Sequence, residues 1–371
     1  MINQIKFNNC EKPTLGVELE LFTADSEKYS LINGAPKILQ HFQDDFFFKE
    51  ELLQCIVEIT TDVCNNTLEV YDDLRPKLDK AIEYANTNNM ELLSMPIHPF
   101  SRVSDQSVSD NDRYIQFLDR MQWPLRRLLI TGIHVHVGVG SGEMAIAVVN
   151  GMKRYIPMLI ALSANSPYFE GELTGLASTR TKIFEGLPNT GIPVNLTNYS
   201  EFQKFMRTLI GAGSIDSIRE IWWDVRPHPG YGTVEIRICD SIPNLRDIID
   251  LSALIQALVV GLCNHYNNGT QLPYLDSWII YENKWRATRY GMDAKLIIDA
   301  DGSQIDIKEI IKSTIKALDP EINHLNIGDS MDRLIERINA NHSYYKEQIN
   351  IYNETNDFRE LIKNNINQLK T

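Results

Sequence analysis

Three short stretches of the chain alternate apolar and ionisable residues with a period of two. TLGVELELF sets Glu18 and Glu20 between Val17, Leu19 and Leu21; ITGIHVHVGV sets His134 and His136 between Ile133, Val135 and Val137; GTVEIRICD sets Glu235 and Arg237 between Val234, Ile236 and Ile238. Side chains alternate across a β-strand, so each stretch predicts a strand with one apolar face and one charged face. A fourth, Ile56 to Thr60, sets Glu58 and Thr60 opposite Val57 and Ile59. Any half-solvated antiparallel strand alternates in this way, and each segment alone reads as a surface strand. Together they say more, because paired Glu or paired His on one face gain nothing from each other in water.

Helical spacing marks the segments between. Leu74, Leu78, Ala81, Ile82 and Ala85 predict an amphipathic helix from about Asp73 to Leu93. A second helix is expected from Asn111 towards Arg127, kinked or restarted at Pro124. Ser141 is a candidate N-cap for a long apolar helix over 143–163, whose all-round apolar character predicts burial behind the sheet. Residues 165–193, rich in Gly, Pro, Ser, Thr and Asn, read as a long ordered loop with Arg180 in its middle. Then follow a helix near 200–211, a hairpin of Ile221–Arg226 and Gly232–Asp240 about the turn HPGYG, and a buried helix at about 246–266. A helix over Trp278–Tyr290 would place Arg286 and Arg289 one turn apart, and helices with polar outer faces fill the chain from about 305. Amphipathic strands without regular β-α-β spacing predict an α+β fold: an antiparallel sheet with helices on one face.

Composition narrows the chemistry. At 371 residues and 43% hydrophobic composition the chain can bury a large core, and no linker, repeat or low-complexity tract divides it. Length alone would allow two domains, but nothing marks a boundary, so residues 1–371 are expected to form a single domain with a helical C-terminal part from about 305. The net charge of −13 and the lack of any basic run beyond Arg126-Arg127 argue against a nucleic-acid partner. The polar start MINQIKFNNCEKP lacks a secretory signal's apolar core, and the apolar stretches near 144–162 and 251–263 are interrupted by polar residues. Five cysteines without C-x-x-C spacing suit reduced thiols, so a cytoplasmic protein with no membrane segment is expected.

If the four strands share a sheet, its charged face collects carboxylates, imidazoles and a guanidinium. Crowded carboxylates repel unless cations hold them, which asks for a divalent metal and, through it, an anionic substrate. Oxygen-rich ligation points to Mg²⁺, and imidazole among the donors leaves Mn²⁺ competent. GVGSGEM at 138–144 is Gly-rich but is no Walker A motif, and neither G-x-G-x-x-G after a strand nor G-x-S-x-G is present. A nucleotide would therefore be held by metals and arginines.

The motifs GVELE at 16–20, ELLQCIVEITTDVC at 51–64, GIHVHVG at 132–138, WWDVRPHPGYGTVEIR at 222–237 and NKWRATRYG at 283–291 resemble, in this order, the bacterial carboxylate-amine ligases of the type 2 glutamate–cysteine ligase group. These belong to the glutamine synthetase-like superfamily. The resemblance implies a catalytic funnel on a curved antiparallel sheet, with helices on its outer face, ATP entering at one end and an amino-acid substrate at the other. It implies metal ligation by Glu18, Glu20, Glu51, Glu58, His134 and Glu235, with Glu58 and Arg237 catalytic. Nucleotide or phosphate contacts would fall to His136, Arg226, Arg237, Arg286 and Arg289, and the carboxylate substrate to Arg180, Gln54 and Tyr290. ATP, Mg²⁺ or Mn²⁺, glutamate or a similar carboxylate, and cysteine or another amine are the expected small molecules, and a homodimer the expected assembly. A guanidino-kinase-like phosphotransferase on the same fold and a non-catalytic amino-acid or nucleotide-binding module are the alternatives.

Overall fold

A computed structural model describes residues 5–371. All four charged strands join one seven-stranded sheet, whose members in chain order are β1 (Leu15–Asp25), β2 (Phe48–Glu50), β3 (Ile56–Thr60), β4 (Met90–Leu93), β5 (Gly132–Gly138), β6 (Val225–His228) and β7 (Thr233–Asp240). Their spatial order is β6-β7-β5-β1-β3-β2, and every pairing is antiparallel. β4 pairs with the last four residues of β1, beyond Leu19 where β5 stops.

One face of the sheet is apolar. Val17, Leu19, Val57, Ile59, Ile133, Val135, Val137, Val234 and Ile236 are buried in a core shared with Leu74 and Leu78 of the helix Thr67–Thr87, with helix Gly142–Met152 and with helix Leu245–Asn267. This is the expected α+β arrangement, an antiparallel sheet with helices packed on it. A second apolar cluster joins Phe22 and Leu93 to Phe117, Met121 and Ile366, from helices Asp112–Met121 and Phe358–Lys370.

Several boundaries differ from the sequence expectation for local physical reasons. The helix expected over 73–93 begins at Thr67, because Asn66 accepts the Glu69 N–H while the Glu69 carboxylate accepts the Asn65 N–H, a reciprocal cap. It ends at Thr87, and Asn89 at φ +56 turns the chain so that Met90–Leu93 pairs with β1. The helix past 111 stops at Met121, where Gln122 takes φ +54, and restarts as Trp123–Arg126. The strand expected from Ile221 splits: Trp222–Trp223 pairs in parallel with Thr190–Gly191, and only Val225–His228 joins the sheet. Residues 165–193 are not all loop, since Thr179–Phe184 is helical.

Ser141 caps the apolar helix as expected. The stretch Gly142–Ser163 is long and apolar enough to cross a membrane, yet 78% of its most apolar window lies inside the molecule. Beyond Gln304–Asp306 the chain is helical to Lys370.

Candidate active site

Register brings the charged residues together. β1 sits at the centre with Glu18 opposite His134 of β5 on one side and Thr60 of β3 on the other; Glu20 lies opposite Glu58, and His136 opposite Glu235. Glu51 enters from the turn before β3. Among the described residues three sets of donors lie close enough for each to share one cation: Glu18, Glu58 and His134; Glu18, His136 and Glu235; Glu20, Glu51 and Glu58. Glu18 belongs to the first two and Glu58 to the first and third. His136, expected at the nucleotide, therefore also stands within one of these candidate donor sets.

The hydrogen bonding orients these groups. His134 Nδ1 lies 3.1 Å from Glu18 Oε2, and His136 Nδ1 lies 2.9 Å from Thr233 Oγ1, which leaves its Nε2 towards Glu18 at 3.4 Å. The Gly132 N–H donates to Glu20 at 2.6 Å. Arg226 grips Glu235 with two nitrogens, at 2.6 and 3.1 Å, and Arg237 Nη1 donates to the same carboxylate. Lys49, opposite Glu58 in the ladder, brings its ammonium to 3.2 Å from that carboxylate.

Five carboxylates thus face three fixed cations, and their ionisation divides accordingly. Burial pushes the Glu51 carboxyl up, with Glu20 adding repulsion, to about 8. Burial and then the Glu18 and Glu51 charges hold Glu58 well above the ordinary range. Burial also opposes ionisation of Glu18 and Glu235, but the two histidines hold Glu18 well below the usual value, and Arg226 and Arg237 do the same for Glu235. Burial, with Arg237 beside it, lowers His134 and keeps it neutral, the form that can ligate. An oxygen-rich, partly neutralised cluster with two imidazoles fits Mg²⁺ or Mn²⁺ chemically, because added cations would let Glu51 and Glu58 ionise.

The side chains of the remaining expected site residues are engaged with other partners or exposed. Arg286 donates to Glu282, to the Lys295 carbonyl and to Gln304, so it fastens a surface hairpin instead of facing the acids. Arg289 lies over the ring of Tyr290, and both are exposed at a helix end. Gln54 donates to the Val108 carbonyl. Arg180 is buried, and its two terminal nitrogens donate to the carbonyls of Ile238 and Arg237. On helix Ser277–Tyr290, which carries Arg286 and Arg289, the buried cation is Lys284, held between Asp224 and Glu185 at 2.6 and 2.7 Å.

Sequence reading missed three residues at the rim. Lys49 sits in FFFKEE without alternation to announce it, and only its ladder position opposite Glu58 reveals it. His228 and Tyr231 were visible only as turn residues; their rings stack at 4.2 Å, and both meet the His136 ring edge-on.

Residues 14–352 match the sequence profile of the glutamate–cysteine ligase family 2. A protein of Thermobifida fusca, named "Putative glutamate–cysteine ligase 2", is 37% identical over 350 residues, covering 93% of this chain and 88% of its own length. A Frankia alni protein, "Putative glutamate–cysteine ligase 2-1", is 35% identical over 99% of this chain and 98% of its own. Two solved structures share the fold at low identity. The glutamate–cysteine ligase of Francisella tularensis in complex with AMP has a TM-score of 0.71 at 13% identity, covering 98% of this chain and 90% of its own. A bifunctional glutathione synthetase from Pasteurella multocida has 0.73 at 10%, covering 97% of this chain and 52% of its own. With a profile match over most of its length and relatives above one-third identity, the chain belongs to the glutamate–cysteine ligase family 2.

Proposed function

We propose that the protein is an ATP-dependent carboxylate-amine ligase, one that joins the γ-carboxylate of glutamate, or a similar carboxylate, to an amine such as that of cysteine. The observation that carries this reading is the overlap of three cation-donor sets through Glu18 and Glu58, with Arg237 on the same face. A carboxylate does not condense with an amine in water until its oxygen is made a leaving group, and ATP does this by phosphorylating it. Mg²⁺, or Mn²⁺ in its place, held by Glu18, Glu20, Glu51, Glu58, His134, His136 and Glu235, would neutralise charge on the β- and γ-phosphates.

The chain's own groups carry the rest. Arg237 offers its guanidinium to the transferring phosphoryl group, and Glu235 with Arg226 keeps that guanidinium in place. The carboxylate oxygen attacks the γ-phosphorus and ADP departs. The amine then attacks the acyl carbon, and phosphate leaves as the amide forms. Lys49 adds a partly exposed positive charge beside Glu58, and the stacked His228 and Tyr231 present an aromatic face at the rim beside His136, suited to a nucleobase. The homodimer belongs to the same reading, and light scattering at micromolar concentration tests it.

The experiment is a phosphate-release screen of amino acids and amines with ATP and Mg²⁺. Release that requires both a carboxylate and an amine, with an amide product and ADP, is the expected result. Recovery of the γ-phosphate on a stable phosphorylated guanidine would replace the ligase with a kinase, and binding without turnover would leave only a binding module.

A further inference from the structure

Opposite β5, strand β7 carries one residue too many. From Ile236 to Cys239 it takes three steps while its partner takes two, from Val135 to Ile133, so a bulge falls at Arg237 and Ile238, across from His134. A bulge breaks the ladder and re-aims a side chain, and it leaves backbone groups without their strand partners. The Arg237 N–H keeps its place beside β6, donating at 2.8 Å to the carbonyl of Asp224, the next position in register after the Val225–Ile236 pair. The carbonyls of the bulge are taken up from outside the sheet. The Arg237 and Ile238 carbonyls accept from the two terminal nitrogens of Arg180, each at 3.2 Å.

We infer that Arg180 is the positioning residue for Arg237: its guanidinium clamps the two bulge carbonyls and so aims the Arg237 side chain into the acid cluster. Arg180 is only 3% exposed, and it is itself held on several sides. Its N–H donates to Ser166 Oγ, Asp240 lies 3.9 Å from Nη1, and the Phe184 ring lies beneath the guanidinium. The planar fork suits the task, because two parallel donors meet two adjacent carbonyls, which a single ammonium does not reproduce.

Gly132 completes the device. A Cβ there would come within 2.1 Å of Arg180 Nη2, so only glycine leaves room for the guanidinium, and the same residue's N–H holds Glu20. The first residue of β5 thus couples the clamp to the donor set. In place of the carboxylate-substrate contact expected from the sequence, Arg180 acts through Arg237.

The inference rests on the proposed role of Arg237 at the γ-phosphate, and the test separates the two. R180Q, R237K and the double variant are compared for turnover and for binding of ADP and of a non-hydrolysable ATP analogue. R180Q is expected to cost turnover about as much as R237K, roughly 10²-fold. The double variant should be no slower than R237K alone, because residues acting as one unit are not additive. R180Q should also lose the preference for the ATP analogue over ADP while ADP affinity stays within about twofold. Losses that multiply, or a preference left intact, would overturn the inference. G132A, which keeps the guanidinium but crowds it, should repeat the R180Q pattern and stands in for it if R180Q does not fold. A crystal structure of R180K or G132A without nucleotide reads the clamp itself, whatever reaction the wild type performs. Arg237 turned away from Glu235 supports the inference, and Arg237 unmoved sinks it.

Discussion

Glu20 and Glu58 face each other directly across β1 and β3, register partners on the same face of the sheet. Burial and the neighbouring charges hold the Glu58 carboxyl well above its usual range, so without a cation the pair avoids like charge by leaving Glu58 protonated. Glu58→Gln replaces that neutral acid with a neutral amide of the same shape. Its melting midpoint without metal is expected to equal or exceed that of the wild type, whereas the rise produced by Mg²⁺ should largely disappear. For the wild type that rise corresponds to about 2.7 kcal/mol at a metal concentration a hundredfold above the dissociation constant. A variant that still gained the full increment would show that Glu58 holds no cation.

Glu235 and Arg237 separate metal from phosphate on one strand. Glu235→Gln should weaken metal binding, and raised Mn²⁺ should restore part of the activity. Arg237→Lys keeps the charge but loses the planar fork, so turnover should drop by about 10²-fold or more with metal dependence little changed. Steady-state rates across a metal titration distinguish the two. Wild-type turnover in both at ordinary Mg²⁺ would return this segment to an ordinary structural strand.

The donor sets were legible because strand alternation fixes faces: once Glu18, His134 and Glu235 stand on alternating strands, register needs only to align them. The arginines were less so. Arg286 and Arg289 sit one turn apart on their helix as the spacing requires, but nothing local says which way that helix faces, and tertiary packing turned Arg286 to the hairpin and buried Lys284 instead. Arg180 was singled out, but its partners come from the β7 bulge, and no periodicity announces a residue inserted into a ladder. Lys49 shows the same limit in reverse, since its neighbours in sequence say nothing of Glu58 across the strand.

The turn that feeds β7 depends on a single glycine. Gly232 has φ +71, and a Cβ there would lie 1.7 Å from the Asn8 carbonyl oxygen, while Asn8 itself hydrogen-bonds Pro229 and Gly230. Gly232→Ala therefore meets backbone strain and a clash at once. A loss of at least about 2 kcal/mol in urea unfolding is expected, the strain alone accounting for 1–2. Gly230→Ala is the control: its Cβ would meet only His228, at an ordinary 3.7 Å, and should stay within about 0.5 kcal/mol. Equal effects at the two positions would show that the clasp of Asn8 on this turn contributes nothing.

Acid stability should depend on His98, which is fully buried and belongs to none of the donor sets. Its Nε2 lies 2.8 Å from the Tyr29 carbonyl, and its Nδ1 accepts from the N–H groups of Phe100 and Ser101. Those contacts select the neutral ring with the proton on Nε2, and protonating Nδ1 would set two N–H donors against a third. Burial accordingly lowers its pKa from 6.5 to about 4. The folded value lies below the unfolded one, so the unfolded chain takes up the proton first as pH falls. The stabilisation is whole above about pH 6.5 and drains away as pH falls to about 4, by roughly 3 kcal/mol in all. His98→Gln gives up part of the hydrogen bonding at every pH but removes this titration. The gap in unfolding free energy between wild type and variant should therefore narrow steadily from pH 7 to pH 4 in urea titrations. Parallel curves over that range would mean that His98 takes up its proton as readily folded as unfolded, and that burial does not govern it.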